Sequence, residues 1–527
     1  MIGTLFLIAG GMMEIRIRNE RELQEWDARI GAVLQRHELN YVLAGIRQLS
    51  KEQWTFTAAG IALFAIRYSL PPIARGTQME AMPRSELAPI ANLVTQYLIA
   101  DPFSFEPPVE DEYRGSTIIP VLLRMAGNQF IYNIDLFGQY ARSLKLFHLI
   151  PQQLRGRRNI PNFDFDSAFQ EITDVPLVTF IDIGYATFVA TLANQGFTGG
   201  WFQKAQSQSL RFEDEMVIRV LDQLAADQFQ LRELYDRYKQ RDRRYGAFDY
   251  NPLLVYPLVR PWPKRDHTIL DEDRLIAPLP QLLLPRMSEG LYQQMFQRYR
   301  DNFSRYFGYL FEAYVGEILQ HSVPHLTLLS ERDIQRTYKG GKVPDWVVID
   351  GNTAILIECK ATGFIRKALA TGDKVAIDNS LSPVIAGLVQ LHEFKDACKK
   401  RVEGLEILKA CSVFTLLVVT FEHFYTINGD IFREKINELV SEKLKGKGIA
   451  IYPWHVLPVE HLEKLQPHIA AGVDLTEILD QLLQHKPFHD IRKELEEQTG
   501  RGYQDSFLYE MDIEIYRRLN FPVDYDE

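Results

Sequence analysis

The stretch 343-VPDWVVIDGNTAILIECKAT-362 constrains this chain more than any other. Two apolar runs flank Gly351-Asn352, a two-residue loop of the kind that joins antiparallel strands into a hairpin. Strands this apolar are built for burial, yet they carry Asp345, Glu358 and Lys360. A buried carboxylate is costly unless it is paired or holds a cation. The three charges therefore need a reason.

With a two-residue loop, Asp350 faces Thr353, and counting back sets Asp345 opposite Glu358. Directly opposed residues have Cβ atoms only ~4.5–5.5 Å apart. Strand side chains alternate, so Glu358 and Lys360 share a face, and this register puts Asp345 on it too. A slip of two residues keeps all three together, whereas a three-residue loop would send Asp345 to the other side. Two opposed carboxylates repel each other, and a divalent cation turns that penalty into a binding site. Mg²⁺ takes oxygen ligands, often one or two carboxylates, and leaves room for water and phosphate oxygens. A lysine one pleat away can hold a water or neutralise charge developing on a phosphate. These are the parts for metal-assisted phosphodiester hydrolysis. A fourth part lies upstream in 303-FSRYFGYLFEAYVGEILQ-320, where Glu312 falls among Gly308, Phe311 and Val315 on the apolar helical face. Glu317 lies further round and is expected in water.

Pro344-Asp345 and Glu358-Cys359-Lys360, with Glu312 on the preceding helix, resemble the signature of the PD-(D/E)xK (restriction-endonuclease-like) nuclease superfamily. The resemblance spans about 290–460. It implies an α/β domain with a mixed sheet flanked by helices. It also implies that Asp345, Glu358 and Glu312 hold Mg²⁺, with Mn²⁺ as a substitute, and that Lys360 helps activate the attacking water. Some branches carry Gln-x-x-x-Tyr on the next helix. Here Gln390-Leu-His-Glu-Phe394 has Phe in place of Tyr, and Gln390 is a candidate substrate contact.

Further cations follow the motif. Arg366, Lys367 and Lys374 lie in a polar, Gly-bearing stretch and could hold phosphates beside the scissile bond, since backbone neutralisation dominates nucleic-acid affinity. Lys395, Lys399, Lys400 and Arg401 cluster near a helix end, where cations also suit the helix dipole. The segments 155-RGRR-158 and 241-RDRR-244 are candidate DNA contacts.

The 527 residues suffice for several domains. Before residue 288 the periodicity is mainly helical, over 20–58, 86–100, 118–150, 174–195 and 212–243. A proline-rich connector over 251–286 forbids a long helix there. The expected division is thus a mostly helical recognition, assembly or regulatory region (1–288) and a nuclease domain (289–527). In the latter, a helix over 289–321 precedes the hairpin. A helix over 383–402, a strand over 412–421, a helix over 430–444 and a strand over 449–453 follow it.

The net charge of −10 argues against a nonspecific nucleic-acid coat but leaves room for a local basic groove. Cys359, Cys398 and Cys411 are too few and too scattered for a disulfide framework or zinc ribbon. MIGTLFLIAGG is too short to span a bilayer and lacks a basic leader, so translation is expected to start near Met12. No GxxxxGK[ST] motif for nucleotide phosphates appears. The expectation is a cytoplasmic, Mg²⁺-dependent DNA endonuclease of restriction or antiphage defence. It would form a homodimer or larger assembly, restrained by its helical region or a protein partner. A non-catalytic scaffold with a nuclease fold and an RNA-directed nuclease are the alternatives.

Overall fold

A computed structural model describes residues 17, 19–51, 55–71, 80–100, 118–120, 122, 123, 126, 127, 138–157, 160–193, 197, 198, 201, 202, 212–239, 246, 249–261, 274–425, 427–484 and 488–518. The chain divides into two compact units. The first comprises Met1–Arg114, Gly127–Ile134 and Ile183–Arg286; the second comprises Gly115–Ala126, Asp135–Asp182 and Met287–Glu527. The boundary near 287 sits where the connector ends. However, 115–126 and 135–182, grouped with the N-terminal region in the sequence reading, belong to the second unit. Aromatic packing accounts for this: Phe147 stacks on Phe307 with centroids 5.7 Å apart, and Phe165 meets Phe303 at 5.8 Å.

The first unit is largely helical. The periodicity over 20–58 resolves into Glu20–Leu34, Leu39–Lys51 and Thr55–Tyr68, and 86–100 becomes Arg84–Ile99. The single helix read over 212–243 is two, Asp214–Leu224 and Gln228–Tyr238. The break occurs because Asp227 caps the second helix in a capping box with Gln230, while Ala225–Ala226 pairs in parallel with Leu258–Val259 of the connector. Among the described residues, no single helix is long and apolar enough to cross a membrane.

The second unit is built on a five-stranded mixed sheet: β1 (Thr327–Ser330), β2 (Trp346–Asp350), β3 (Thr353–Lys360), β4 (Val413–Thr420) and β5 (Trp454–Pro458), in that spatial order. The pairs β1–β2 and β2–β3 are antiparallel; β3–β4 and β4–β5 are parallel. Tight connections allow the first two pairings, whereas the parallel pairs need helical crossovers. Helix α1 (Glu289–Ser322) precedes the sheet, and α2 (Glu331–Gln335) follows β1. The first crossover carries α3 (Arg366–Thr371) and α4 (Lys374–Lys399); the second is α5 (Asp430–Leu444). Apolar side chains of β3, β4 and α4, among them Leu356, Leu416, Val384 and Leu388, form one buried core.

Two expected elements are displaced. The helix read over 383–402 begins at Lys374, because Asp373 accepts from the Ala376 N–H as its cap and Pro383 sits inside the helix. The last strand is Trp454–Pro458, not 449–453. There Trp454–Pro458 lies fully buried against Leu416–Thr420, and the Asn428 side chain both donates to the Val456 carbonyl and accepts from its N–H. Glu317, expected in water, is part-buried and paired with Lys145.

Candidate active site

Gly351 adopts φ 56°, a conformation that costs glycine little, and closes the hairpin in two residues. Asp350 pairs with Thr353 and Trp346 with Ile357. One further step sets Asp345 opposite Glu358. The Cys359 N–H donates to Asp345 Oδ2 at 2.6 Å, which fixes that carboxylate against the end of β3.

Helix α1 delivers the upstream glutamate. At Gly316 an added Cβ would lie 2.1 Å from the Trp346 ring, so the missing side chain lets α1 settle on β2. The Trp346 indole N–H then donates to the Glu312 carbonyl at 3.1 Å. This locks the turn of α1 that carries Glu312 beside the start of β2.

A third carboxylate joins them. β1 pairs Ser330 with Trp346, and the next rung is the Glu331 N–H donating to the Asp345 carbonyl at 2.8 Å. Carboxylate oxygens of Glu312, Glu331 and Asp345 all lie within 4.8 Å of one another. Sequence reasoning missed Glu331. Its surroundings, Ser330 as cap and Asp333 completing the capping box, read as an ordinary helix start. Only the β1–β2 pairing reveals its neighbour.

Glu358 has a different setting. It is 2 % exposed. Lys360 Nζ donates to its Oε1 at 2.6 Å and Gln390 Nε2 to its Oε2 at 2.8 Å. Gln390 also donates to the Val343 carbonyl at 2.7 Å, just before Pro344-Asp345. Gln390 thus braces Glu358 and the approach to Asp345 from α4. A Cβ at position 387 would lie 3.0 Å from Lys360 Cε and 3.1 Å from Glu358 Cγ, so Gly387 is what lets α4 press on both. Phe394, in the place of the tyrosine, is buried edge-on to Tyr338.

Electrostatics bind the two halves into one site. Burial, then Asp345 and Glu331, push the Glu312 carboxyl up to about 8. Burial raises Glu358, with Asp345 adding to it. Burial raises Asp345 as well, and the Cys359 N–H and Lys360 only partly offset this. For Lys360, burial opposes the charge, but Glu358 outweighs it and holds the ammonium above its usual value. Clustered hard oxygen donors that resist losing their protons are chemically suited to a divalent cation, whose charge would cancel the repulsion.

The other sequence candidates lie apart from this cluster. Lys367 and Lys374 are exposed, and Lys367 pairs with Asp373 at 3.0 Å. Arg366 opens α3, but its side chain lies outside the described residues. Lys395 is structural: it is buried, donates to the Phe414 carbonyl at 2.8 Å and sits over the Tyr452 ring, which Lys399 also covers. Lys400 pairs with Asp396, and Arg401 follows α4 with φ 53°. Arg155 and Arg157 are exposed; Arg158 and 241–244 lie outside the described residues. The three cysteines are free thiols.

Comparison with known proteins yields no match: no family model, no curated protein and no solved structure aligns with this chain.

Proposed function

We propose that the second unit is a restriction-endonuclease-like nuclease domain and that the chain is a metal-dependent nuclease hydrolysing phosphodiester bonds in DNA. The observation that carries this reading is one geometry. Asp345 is held opposite Glu358 at the end of β3, Lys360 Nζ lies 2.6 Å from Glu358, and the oxygens of Glu312, Glu331 and Asp345 gather within 4.8 Å. The helix–hairpin–helix–strand order around it supports the same reading.

Glu312, Glu331 and Asp345 would hold Mg²⁺ or Mn²⁺, with Glu358 next to them. Such a cation supplies charge neutralisation at the phosphate and a more acidic water. The chain's own residues do the rest. Lys360, kept protonated by Glu358, presents a fixed positive charge to a phosphate oxygen or a water. Gln390 holds Glu358 in place for that arrangement. Asp345 keeps its orientation through the Cys359 N–H as the charge around it changes. Burial keeps competing water away from the carboxylates, which strengthens each of these interactions.

The biological setting we propose is restriction or antiphage defence in the cytoplasm. A homodimer or larger assembly would bring two sites to a duplex, with the helical unit or a protein partner restraining them. One observation favours a rival. Both Glu358 oxygens are already satisfied inside the protein, as they would be in a non-catalytic scaffold with this fold.

The test is cleavage of supercoiled plasmid, linear duplex, single-stranded DNA and RNA with Mg²⁺, Mn²⁺ or EDTA. Wild type is compared with Lys360→Ala and Asp345→Ala. Metal-dependent DNA cutting lost in both variants is expected. Cutting of RNA alone would redirect the reading to RNA. Cutting that survives both substitutions would sink it. An inactive wild type that also fails to bind metal would favour the scaffold.

A further inference from the structure

Helix α4 has 26 residues and β3 has eight. At 1.5 Å per residue the helix spans roughly 39 Å, against roughly 26 Å for the strand. Its contacts fix where the surplus lies. Gly387 touches Lys360, the last residue of β3; Gln390 bonds Glu358; Lys395 bonds Phe414 near the start of β4. The helix therefore runs antiparallel to β3, and residues 374–386 extend past the end of the sheet that carries the acidic cluster. That overhang is about 20 Å of helix.

The overhang has a packed side and an open side. Ile377, Leu381 and Val384 are buried, Phe364 packs on Phe424 at 4.6 Å, and Ser380 accepts from the Ile365 N–H. The open side presents Val375, 66 % exposed, and Ile365, 40 % exposed, together with Lys367 and Lys374. Scattered exposed aliphatic residues are ordinary. Here two β-branched side chains interleave with two lysines on a rigid projection at the rim of the site. Lysines meet phosphates, and aliphatic wedges enter between bases and unstack them. A straight duplex offers no apolar surface to such residues without that opening.

We infer that the α3–α4 overhang is a wedge, with Ile365 and Val375 inserting between bases beside the scissile phosphate while Lys367 and Lys374 hold the flanking backbone. The DNA bound is then opened or kinked at the cut. This rests on the nuclease reading for its ligand but not for its readout.

The experiment uses the full chain carrying Lys360→Ala, in Ca²⁺, with short duplexes bearing single 2-aminopurines at successive positions. Fluorescence is expected to rise about threefold or more at one or two adjacent positions on binding, as an unstacked base would give. Adding Ile365→Ser and Val375→Ser should abolish the rise, with the melting temperature unchanged because both sites are exposed. Lys367→Ala with Lys374→Ala should weaken binding at every position alike. Binding without any unstacking, a rise that survives the double serine substitution, or no DNA binding at all would overturn the wedge; in those cases the apolar pair is an ordinary surface or a protein contact. Wild-type cleavage run in parallel separates the two ideas. Cutting without unstacking overturns the wedge alone, and unstacking without cutting overturns the nuclease reading alone.

Discussion

The second unit contains two buried ionic regions, and they are built on opposite principles. In one, Arg142 and Glu463 face each other, both almost fully buried, through two charge-assisted hydrogen bonds. Tyr314 adds an O–H to Glu463 at 2.8 Å, and nearby Asp512 accepts from the Gly138 and Ala141 N–H groups. There the Arg142–Glu463 charges cancel and every acceptor named has a donor. In the other, Glu312, Glu331, Asp345 and Glu358 share a single lysine. The first region holds 139–154 against α1 and the helix that follows β5. The second is an unbalanced charge that folding must tolerate. A structure tolerates such a cost where the imbalance serves a ligand.

The largest expected effect breaks this symmetry in opposite directions. Asp345→Asn should lower metal-dependent cleavage at least about a thousandfold, since it removes a group needed only for chemistry. In EDTA at pH 8 the same change should stabilise the fold by about 1–2 kcal/mol, because a strained charge is gone while the Cys359 N–H keeps an acceptor. Glu463→Gln should do the reverse, costing about 3–5 kcal/mol by leaving Arg142 buried without its counter-charge. Urea unfolding of both variants decides it. If Asp345→Asn destabilised as much as Glu463→Gln, the cluster would be structural.

The two regions should also differ with pH. Glu312, at about 8, and Glu358 bind protons more tightly in the folded chain than in the unfolded one. Their stabilising contribution is complete below the ordinary carboxylate range and is lost as pH climbs through the raised values. In EDTA, stability should therefore fall between about pH 5 and 8, by up to about 1.4 kcal/mol per unit for each proton released. Saturating Mg²⁺ should flatten that slope, and its apparent affinity should rise over the same window. Arg142 stays charged throughout, because Glu463 outweighs the burial that opposes its charge. Calorimetric melting temperatures across this range, with and without Mg²⁺, are the check; a flat EDTA profile would show that the carboxylates do not repel.

Smaller and more diagnostic is Gln390→Ala. A brace and a substrate contact predict different kinetics. Loss of the brace on Glu358 and Val343 should lower kcat by about 10–100-fold with KM for DNA little changed, as for outer-sphere partners of metal ligands. A substrate contact would instead raise KM. The stability loss should stay near 1 kcal/mol, since one shared donor disappears.

What the sequence made legible was local. The two-residue loop at Gly351 fixed the register, and strand alternation then placed Glu358 and Lys360 side by side without any tertiary information. The apolar stripe around Glu312 was similarly readable at helical spacing. What stayed hidden depends on contacts distant in sequence. Nothing in 139-QYARSL-144 announces that Arg142 will meet Glu463, 321 residues away. Pro383 resembled a helix start, and only the Asp373 cap places the true one nine residues earlier. Gln390 was visible as a residue of interest, but its partners could not be assigned before α4 was docked on β3.

Glu331 is the sharpest remaining test, because it looks structural by sequence and belongs to the cluster by geometry. It stands at the first position of α2, where a negative charge suits the helix dipole, and it accepts from Gln335 at 2.7 Å. If that is its whole role, Glu331→Gln should cost at most about 0.3–1 kcal/mol in stability and leave metal binding alone. If it completes the cation site, Mg²⁺ affinity should fall by roughly tenfold, less than for Asp345→Asn, because Glu331 is only partly buried and keeps water access. The same substitution should also lower the Glu312 carboxyl, since Glu331 is one of the charges that raises it. Titration of Mg²⁺ by calorimetry at pH 6 and pH 8 separates these outcomes. A weaker site with a shallower pH dependence assigns Glu331 to the cluster, and unchanged affinity returns it to the helix cap.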